Sequence, residues 1–518
     1  MTFSLLFKSS VSACFELNNK TVYYSETPFD VYLNGEFIYN TDKNVFSLFD
    51  LKPDTEYVVT TSLSDFALTF RTSEESYAIG VREFGAVGDG VTDDTVAVQT
   101  ALDLCPVNGR VIFEEGVYYL RPIKIKSNIT VEIKKGAVLY ASSKEEDYPV
   151  IPGEITDKNG KDVHFASWEG TPTECHEPFV ACYSSENVNI VGEGVIEGNG
   201  HKGDWWIDPK HKKYGRPRLF FTHFAKHVDL HGVTGRNSPS WNFQPYFSKD
   251  INFYDTKVSA PADSPNTDGL DPESCDGVKI IGMEFSVGDD AIAIKSGKVY
   301  MGEKYNTPAQ NHTIRNCKMS FAHGGIVLGS EMAGGVKGLK VERCLFVGTD
   351  RGLRIKTRRG RGKNGVIDGV KFENIKMDGV KAPFVINMFY FCDPDGKTEY
   401  VWSKDKDKYP VGDDTPYLGR FTFKNIDCQN AEWCAGYIYG LPEQPVGSVS
   451  FENVTVTFKK DAEAGRPAMM TDAEVLSKGG FYLRNVRKVK MKNVRLGETN
   501  GERVVMTGVG QAEGVENV

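Results

Sequence analysis

Short alternations of apolar and polar residues recur along most of this 518-residue chain, separated by Asn, Asp and Gly. A period of two sends apolar side chains to one face of a strand and polar ones to the other. From residue 111 on, these runs return roughly every 23 to 40 residues, the spacing of solenoid coils. Because one coil cannot bury its apolar face alone, the pattern predicts an all-β, parallel solenoid. Examples are residues 188–190, 228–230, 251–253, 278–280, 339–341, 370–372 and 449–451.

The first 75 residues have a different pattern, with short strand-like runs separated by turn signals such as Asn34-Gly35. Residues 51–57 resemble the fibronectin type III pattern, in which a Tyr near a strand start hydrogen-bonds back to the backbone. We therefore predict a fibronectin type III-like β-sandwich over residues 1–75 and a catalytic parallel β-helix over residues 76–518. Another kind of small β-sandwich is the alternative for the first segment.

The glycine-rich stretch 84–90 and the Thr-Asp-Asp-Thr that follows resemble the N-terminal cap of right-handed parallel β-helix proteins. This stretch lacks the Lys of a phosphate-binding P-loop. Three later stretches, 142–180, 201–222 and 392–419, break the strand rhythm and are rich in Trp, Tyr, Lys and Pro. Because long loops in a compact domain are usually functional, we expect them to line the rim of a cleft.

Composition narrows the classes of function. A hydrophobic content of 40% supports a sizeable core, and a net charge of −9 argues against nucleic acid as a partner. A local cluster of basic residues can nevertheless bind an acidic substrate, even when the net charge of the whole chain is negative. Taken alone, such a cluster is more typical of a solvated loop. Its members are Arg354, Lys356, Arg358, Arg359, Arg361 and Lys363.

The ten cysteines are scattered and show no metal-ligand spacing, which argues against a structural zinc site and fits a reducing compartment. The first 15 residues lack the basic start of a signal peptide. No apolar run approaches the roughly 18 residues of a membrane span. We therefore expect a cytoplasmic protein without a membrane partner, and its oligomeric state stays open.

Four short motifs carry the candidate chemistry. Each has an ordinary structural explanation by itself: a turn, a histidine at a coil edge or an exposed strand face. Together they supply three acids, one imidazole and two permanent cations, which suit acid–base attack on an anionic sugar. The motifs are Asn266-Thr267-Asp268-Gly269, Gly288-Asp289-Asp290, His323-Gly324 and Arg354-Ile355-Lys356.

Strand geometry constrains two of these motifs. Arg354 and Lys356 are two residues apart, so both point to one face while Ile355 enters the core. Asp289 and Asp290 are adjacent, so a regular strand would send them to opposite faces. We therefore expect a bend at the preceding glycine.

In this order, the four motifs resemble the signature of the polygalacturonases of glycoside hydrolase family 28, over roughly residues 81 to 495. One departure is Ala322 before His323, where the family often has Gly. The resemblance implies a hydrolase that needs no metal or other cofactor and acts on polygalacturonate or pectic oligosaccharides.

The resemblance also implies a role for each site residue. Asp289 is the general acid, Asp268 and Asp290 are ionised and activate water, and His323 supports the acid. The substrate-binding residues implied are Arg354 and Lys356 on the galacturonate carboxylate, with Tyr390 and Asn266 lining the sugar site. Three close acids cannot all ionise cheaply, so one of them keeps a proton. A separation of about 6.5–9.5 Å between acid and base would leave room for water and give inversion.

The predicted activity is exo-hydrolysis of α-1,4-galacturonosyl bonds with inversion, releasing galacturonate or its dimer from the non-reducing end. The long loops and the N-terminal module resemble those of exo-acting bacterial members. The alternatives are an endo-polygalacturonase and a rhamnogalacturonan or xylogalacturonan hydrolase of the same fold. A calcium-dependent lyase and a non-catalytic carbohydrate-binding β-helix are more distant alternatives.

Overall fold

Parallel strand pairing dominates the chain from Ala78 onward in this computed structural model, which describes residues 1–391 and 404–518. Before that point the strands pair antiparallel. Within the described ranges, no helix is long and apolar enough to cross a membrane. The predicted all-β fold is confirmed, with a parallel β-helix preceded by a small β-sandwich.

The N-terminal unit packs two antiparallel sheets against each other around a core of Phe, Leu and Val. The backbone N–H of Lys52 donates a hydrogen bond to the Tyr57 hydroxyl at 2.9 Å, as the resemblance to fibronectin type III predicts. One sheet contains Phe3–Lys8, Ala13–Leu17 and Val45–Leu48. The other contains Glu36–Lys43, Tyr24–Leu33, Glu56–Thr61 and Ser64–Arg71.

The β-helix is built from rows of parallel strands, one strand per coil in each row. The first row contains Ala78–Gly80, Gly109–Phe113, Ile129–Ile133, Glu186–Val191, Lys226–His231, Lys249–Tyr254, Lys279–Ile281, Thr313–Arg315 and Lys340–Glu342. The second row contains Asp89–Asp93, Gly116–Leu120, Ala137–Ala141, Val195–Glu197, Thr234–Arg236, Lys257–Ser259, Glu284–Ser286, Lys318–Ser320 and Leu345–Val347. Both rows continue in the longer strands Val370–Asp378, Arg420–Ala431, Val446–Phe458, Gly479–Leu496 and Val504–Glu513.

The third row carries most of the chemistry described below. It contains Ile123–Lys124, Val180–Tyr183, Phe220–His223, Phe243–Tyr246, Ile292–Ile294, Ile326–Gly329, Arg351–Lys356, Ala382–Asn387 and Cys434–Tyr439. Single bridges at Leu270 and Glu273 fill the coil between the fourth and fifth of these strands. A shorter row contains Ala309–Gln310, Val336–Lys337, Val366–Asp368 and Tyr417–Leu418.

The remaining elements cap or decorate the solenoid. Helix Thr95–Leu104 buries Val98, Ala101 and Leu102, and a second short helix spans Val299–Lys304. The predicted loop 142–180 folds into small antiparallel ribbons, whereas residues 392–403 of the predicted loop 392–419 lie outside the described residues. The ribbon strands are Val150–Ile151, Glu154–Thr156, Asp162–His164, Ser167–Trp168, Thr171–Pro172 and Cys175–His176. The 3-10 turns are Val81–Phe84, Glu145–Asp147, Asp204–Trp206 and Val515–Asn517.

The core of the solenoid is a continuous stack of inward apolar side chains. Phe384 and Phe423 have ring centroids 4.6 Å apart, and Phe423 stacks on Phe451 at 5.0 Å. Aromatic pairs at these separations add to the stabilisation from burial. The repeating inward positions therefore hold successive coils in register.

The β-sandwich is fixed to the first row rather than to the third. The Glu16 carboxylate pairs with the guanidinium groups of Arg315 and Arg343, and Phe7 stacks on Tyr254 at 5.4 Å. A cavity of about 350 Å³ lies at this junction, and none of the predicted site residues lines it. The predicted site residues therefore lie on the solenoid, away from this junction.

Candidate active site

The structure brings together the three acids that the sequence places in two separate motifs. One carboxylate oxygen each from Asp268, Asp289 and Asp290 lies within 4.8 Å of the other two. Asp268 and Asp290 are buried, whereas 27% of the Asp289 side chain is exposed. Asp289 is therefore the member of the trio most open to a substrate. The closest oxygens are nearer than the 6.5–9.5 Å typical of inverting enzymes, so the stereochemical outcome stays a prediction.

Two glycines allow the backbone to place these acids. The chain bends at Gly288 and Asp289 before it enters the strand Ile292–Ile294, as expected. A Cβ atom at Gly288 would lie 2.4 Å from the carbonyl oxygen of Ser264, and one at Gly269 would lie 2.5 Å from that of Ala291. Close backbone approach, rather than an unusual φ angle, therefore requires glycine at both positions.

Arg354 and Lys356 both project from the strand Arg351–Lys356, while Ile355 is fully buried in the core, as period two predicts. Arg354 Nη1 lies 3.1 Å from Asp290 Oδ1, and Lys356 Nζ lies 2.8 Å from Asp290 Oδ2. A Cβ at Gly324 would lie 2.8 Å from Asp290 Oδ1. Glycine after the histidine therefore leaves room for this ion pair. The predicted contacts of the two cations with a substrate stay a prediction.

The surroundings separate the charge states of Asp268 and Asp290. Burial disfavours the charge of Asp290, but Lys356 and Arg354 overcome it and hold the pKa of this carboxyl well below its usual range. Burial, with Asp271 and Asp289 nearby, raises the pKa of Asp268 well above its usual range. Asp290 is therefore the ionised member, and Asp268 favours a proton. This differs from the expectation that both are ionised, because only Asp290 contacts two cations.

His323 lies beside the predicted acid. Its Nδ1 is 3.5 Å from Asp289 Oδ1, and 53% of its side chain is exposed. The interaction with Asp289 raises the pKa of the imidazole against the opposing effect of partial burial. The contact places the imidazole beside Asp289, and its predicted role in supporting the acid stays a prediction.

Tyr390 and Asn266 border the same site. Tyr390 is largely buried, and Lys356 Nζ lies 5.8 Å from its ring centroid. The guanidinium of Arg216, from the inserted stretch 201–222, donates a hydrogen bond to Asn266 Oδ1. The side chain of Asn266 is therefore held by the inserted stretch. Its predicted contact with a sugar stays a prediction.

Sequence reasoning missed a third cation beside the acids. Lys295 Nζ lies 3.0 Å from Asp271 Oδ2, 3.8 Å from Asp268 Oδ2 and 4.1 Å from the ring centroid of Trp241. The only signal was the alternation that continues from Ile292 to Lys295, which places this lysine on the outward face. Its pairing with acids of the preceding coil depends on the register between coils.

The three clustered Asp side chains have oxygen atoms close enough together to hold a cation. Within residues 1–391 and 404–518, no other group of three or more His, Cys, Asp or Glu side chains has this spacing. Arg354 and Lys356 already place two positive charges against Asp290. They oppose a further cation at short range. The donor set therefore suits acid–base chemistry better than metal binding.

Sequence comparisons agree with this chemistry, since clustered carboxyl groups are what glycoside hydrolysis requires. The model of glycosyl hydrolases family 28 matches residues 150–407. An endo-polygalacturonase from Pectobacterium carotovorum subsp. carotovorum is 31% identical over 314 residues, 57% of this chain and 72% of that protein. A probable polygalacturonase from Vitis vinifera is 28% identical over 413 residues, 78% of this chain and 79% of that protein. The chain therefore belongs to glycosyl hydrolases family 28.

Solved structures confirm the fold. The family 28 exopolygalacturonase of Yersinia enterocolitica superposes with a TM-score of 0.73 at 19% identity, covering 99% of this chain and 98% of that one. An exopolygalacturonase of Thermotoga maritima gives a TM-score of 0.65 at 24% identity, covering 81% and 91%. The similarity to the Yersinia enterocolitica structure extends over nearly the whole chain, so it includes the N-terminal β-sandwich.

The interaction between His323 and Asp289 predicts a measurable titration. By histidine NMR, the His323 imidazole should have a pKa above its ordinary value, and Asp289→Asn should lower it. Because the folded-state pKa is raised, the stability from this contact is fully present below the ordinary pKa and is lost as pH rises through the raised one. Asp350→Asn is the control and should shift the pKa less, since Asp350 is a minor influence on His323. An unchanged titration in Asp289→Asn would contradict the assigned contact.

Proposed function

We propose that the protein hydrolyses α-1,4-galacturonosyl bonds and acts from the non-reducing end of the chain. The observation that carries this proposal is the three-Asp cluster with Arg354 and Lys356 against it. Glycoside hydrolysis requires one protonated and one ionised carboxyl function. Permanent cations at the same place suit a sugar that carries a carboxylate.

The three acids take different roles in the proposed reaction. Asp289, the exposed acid, gives its proton to the glycosidic oxygen as the bond from that oxygen to the anomeric carbon breaks. Asp290, which is ionised, takes a proton from water as the water oxygen bonds to the same carbon. Asp268 retains a proton and limits the repulsion among the three acids. Return of a proton to Asp289 and loss of one from Asp290 complete the cycle.

The inserted stretches support attack at a chain end. Trp168, from the stretch 142–180, stacks on Trp241 at 5.1 Å, and the carbonyl of Ser167 accepts a hydrogen bond from Arg218. Arg216 and Arg218, from the stretch 201–222, are both buried beneath this contact. The two insertions thus form one wall on the side of the acids that precedes the catalytic coil. A wall there would restrict the sugar units on that side of the scissile bond, as exo action requires.

The relatives named above include both endo- and exo-acting enzymes, so the mode of action needs its own test. Products of polygalacturonate should be separated by chromatography while less than a tenth of the bonds are cleaved. We expect galacturonate or digalacturonate alone from the start of the reaction. A spread of mid-length oligomers at this stage would show endo action instead.

Asp289→Asn should lower kcat by roughly 10²- to 10⁴-fold, the usual contribution of a general acid. The matched control is Asp276→Asn, a partly buried acid that hydrogen-bonds Asn311 on the coil surface and should retain wild-type kcat. NMR of the first product of the wild-type enzyme should show the inverted anomer. Full activity of Asp289→Asn would overturn the role of this acid, and the retained anomer would overturn inversion.

A further inference from the structure

We propose that Lys295 is a specificity-determining residue that binds the carboxylate of the galacturonate unit on the inserted-wall side of the scissile bond. The inference rests on the proposed function, since it assumes a galacturonate substrate. It assigns to Lys295 the role on one side of the bond that Arg354 and Lys356 are predicted to play on the other.

The register of the third row places Lys295 in line with Lys356. Ile294 pairs with Leu328, which pairs with Ile355, and Gly329 pairs with Lys356. Lys295 follows Ile294, so it occupies the position that is stacked in line with Lys356, two coils earlier in the solenoid. Neighbouring strands are about 4.8 Å apart, which puts the two positions roughly 10 Å apart along the row. The intervening position is Gly329, so no side chain separates them in that line of stacked positions.

Lys295 is as accessible as the residues already assigned to the site. Its side chain is 6% exposed, compared with 6% for Asp268 and 7% for Arg354. The ammonium faces Asp268 at 3.8 Å, so a sugar seated against the acids would also be within reach of Lys295. The face of Trp241 and the Asp271 carboxylate fix the ammonium in this position.

The surroundings of Lys295 include polar atoms that the protein itself does not satisfy. Within the described residues, Asp271 Oδ1, Glu273 Oε1 and Ser296 Oγ are buried and lack a hydrogen-bond partner. Buried polar atoms are normally paired, and a ligand is one way to satisfy them. The backbones of Glu273 and Lys295 form a parallel β-bridge, and Ser296 follows Lys295 in the chain. A sugar rich in hydroxyl groups offers the missing partners.

The inserted wall contacts the neighbours of Lys295. Ser167 Oγ donates a hydrogen bond to Glu273 Oε2 at 3.3 Å, and Trp168 stacks on Trp241. Lys295 therefore lies where a terminal unit would lie if the wall stops the chain. A carboxylate buried at that end needs a cation to offset its desolvation.

Charged groups from several elements surround Lys295. The acids that face it are Asp268, Asp271, Glu273 and Glu331, and Arg218 adds a positive charge. Burial raises the pKa of Asp271 and that of Glu273 to about 7. Glu331 differs, because Lys295 and Lys356 lower its pKa against the effect of burial.

The test compares trigalacturonate with the same trimer methyl-esterified at the unit on the non-reducing side of the bond that the enzyme cleaves. Lys295→Met should lower kcat/KM for trigalacturonate by roughly 10- to 100-fold, the range for loss of a charged hydrogen bond. The same substitution should lower kcat/KM for the ester by a clearly smaller factor, because the ester has no charge for Lys295 to bind and loses only the indirect effect of this lysine through Asp268. Lys295→Arg should restore most of the preference for the acid. The control is Lys279→Met, at an exposed lysine of the first row, which should leave both substrates unchanged.

The outcomes separate this inference from the proposed function. Equal losses on both substrates would show that Lys295 only supports the fold, and unchanged kinetics would show that it binds nothing; either result overturns the inference. If Lys295→Met does not fold, the wild-type enzyme still decides, because equal kcat/KM for acid and ester would contradict a carboxylate site. A wild-type enzyme inactive on both trimers and on polygalacturonate would overturn the proposed function itself.

Discussion

The site depends on the double ion pair that holds Asp290 between Arg354 and Lys356. Without it, three carboxylates within 4.8 Å of one another would repel strongly in a buried setting. The two cations make ionisation of Asp290 favourable despite complete burial. The same imbalance raises the pKa of Asp268, because the nearby Lys295 lies 3.8 Å away and is shared with Asp271. One ion pair thereby differentiates acids that are chemically identical.

That ion pair is possible only because the coils stack closely. Asp290 and the two cations come from different coils, and Gly324 on the coil between them leaves space for the contact. Gly288 and Gly269 admit backbone contacts that any side chain would block. The apolar stack inside the solenoid holds these coils in register. Core packing and acid–base chemistry are therefore linked through backbone spacing.

Much of this arrangement was predictable from the chain alone. Alternation with period two predicts the parallel β-helix, and it places Arg354 and Lys356 on one face with Ile355 inside. The Tyr57 contact with the Lys52 backbone likewise follows from a local pattern. The charge difference between Asp268 and Asp290 was not predictable, because it depends on burial and on which cation each acid meets. Lys295 and Asp271 were missed for a related reason: their pairing is set by the register between coils, which no short motif encodes.

The central claim is that the surroundings fix the charges of the two buried acids, and infrared difference spectroscopy tests it most directly. Protonated carboxyl groups absorb separately from carboxylates, so spectra of the wild-type protein and its Asp→Asn variants assign the proton. Near neutral pH, the account predicts that a protonated carboxyl band disappears in Asp268→Asn and that Asp290→Asn instead loses a carboxylate band. A protonated band that survives in Asp268→Asn but disappears in Asp290→Asn would contradict it.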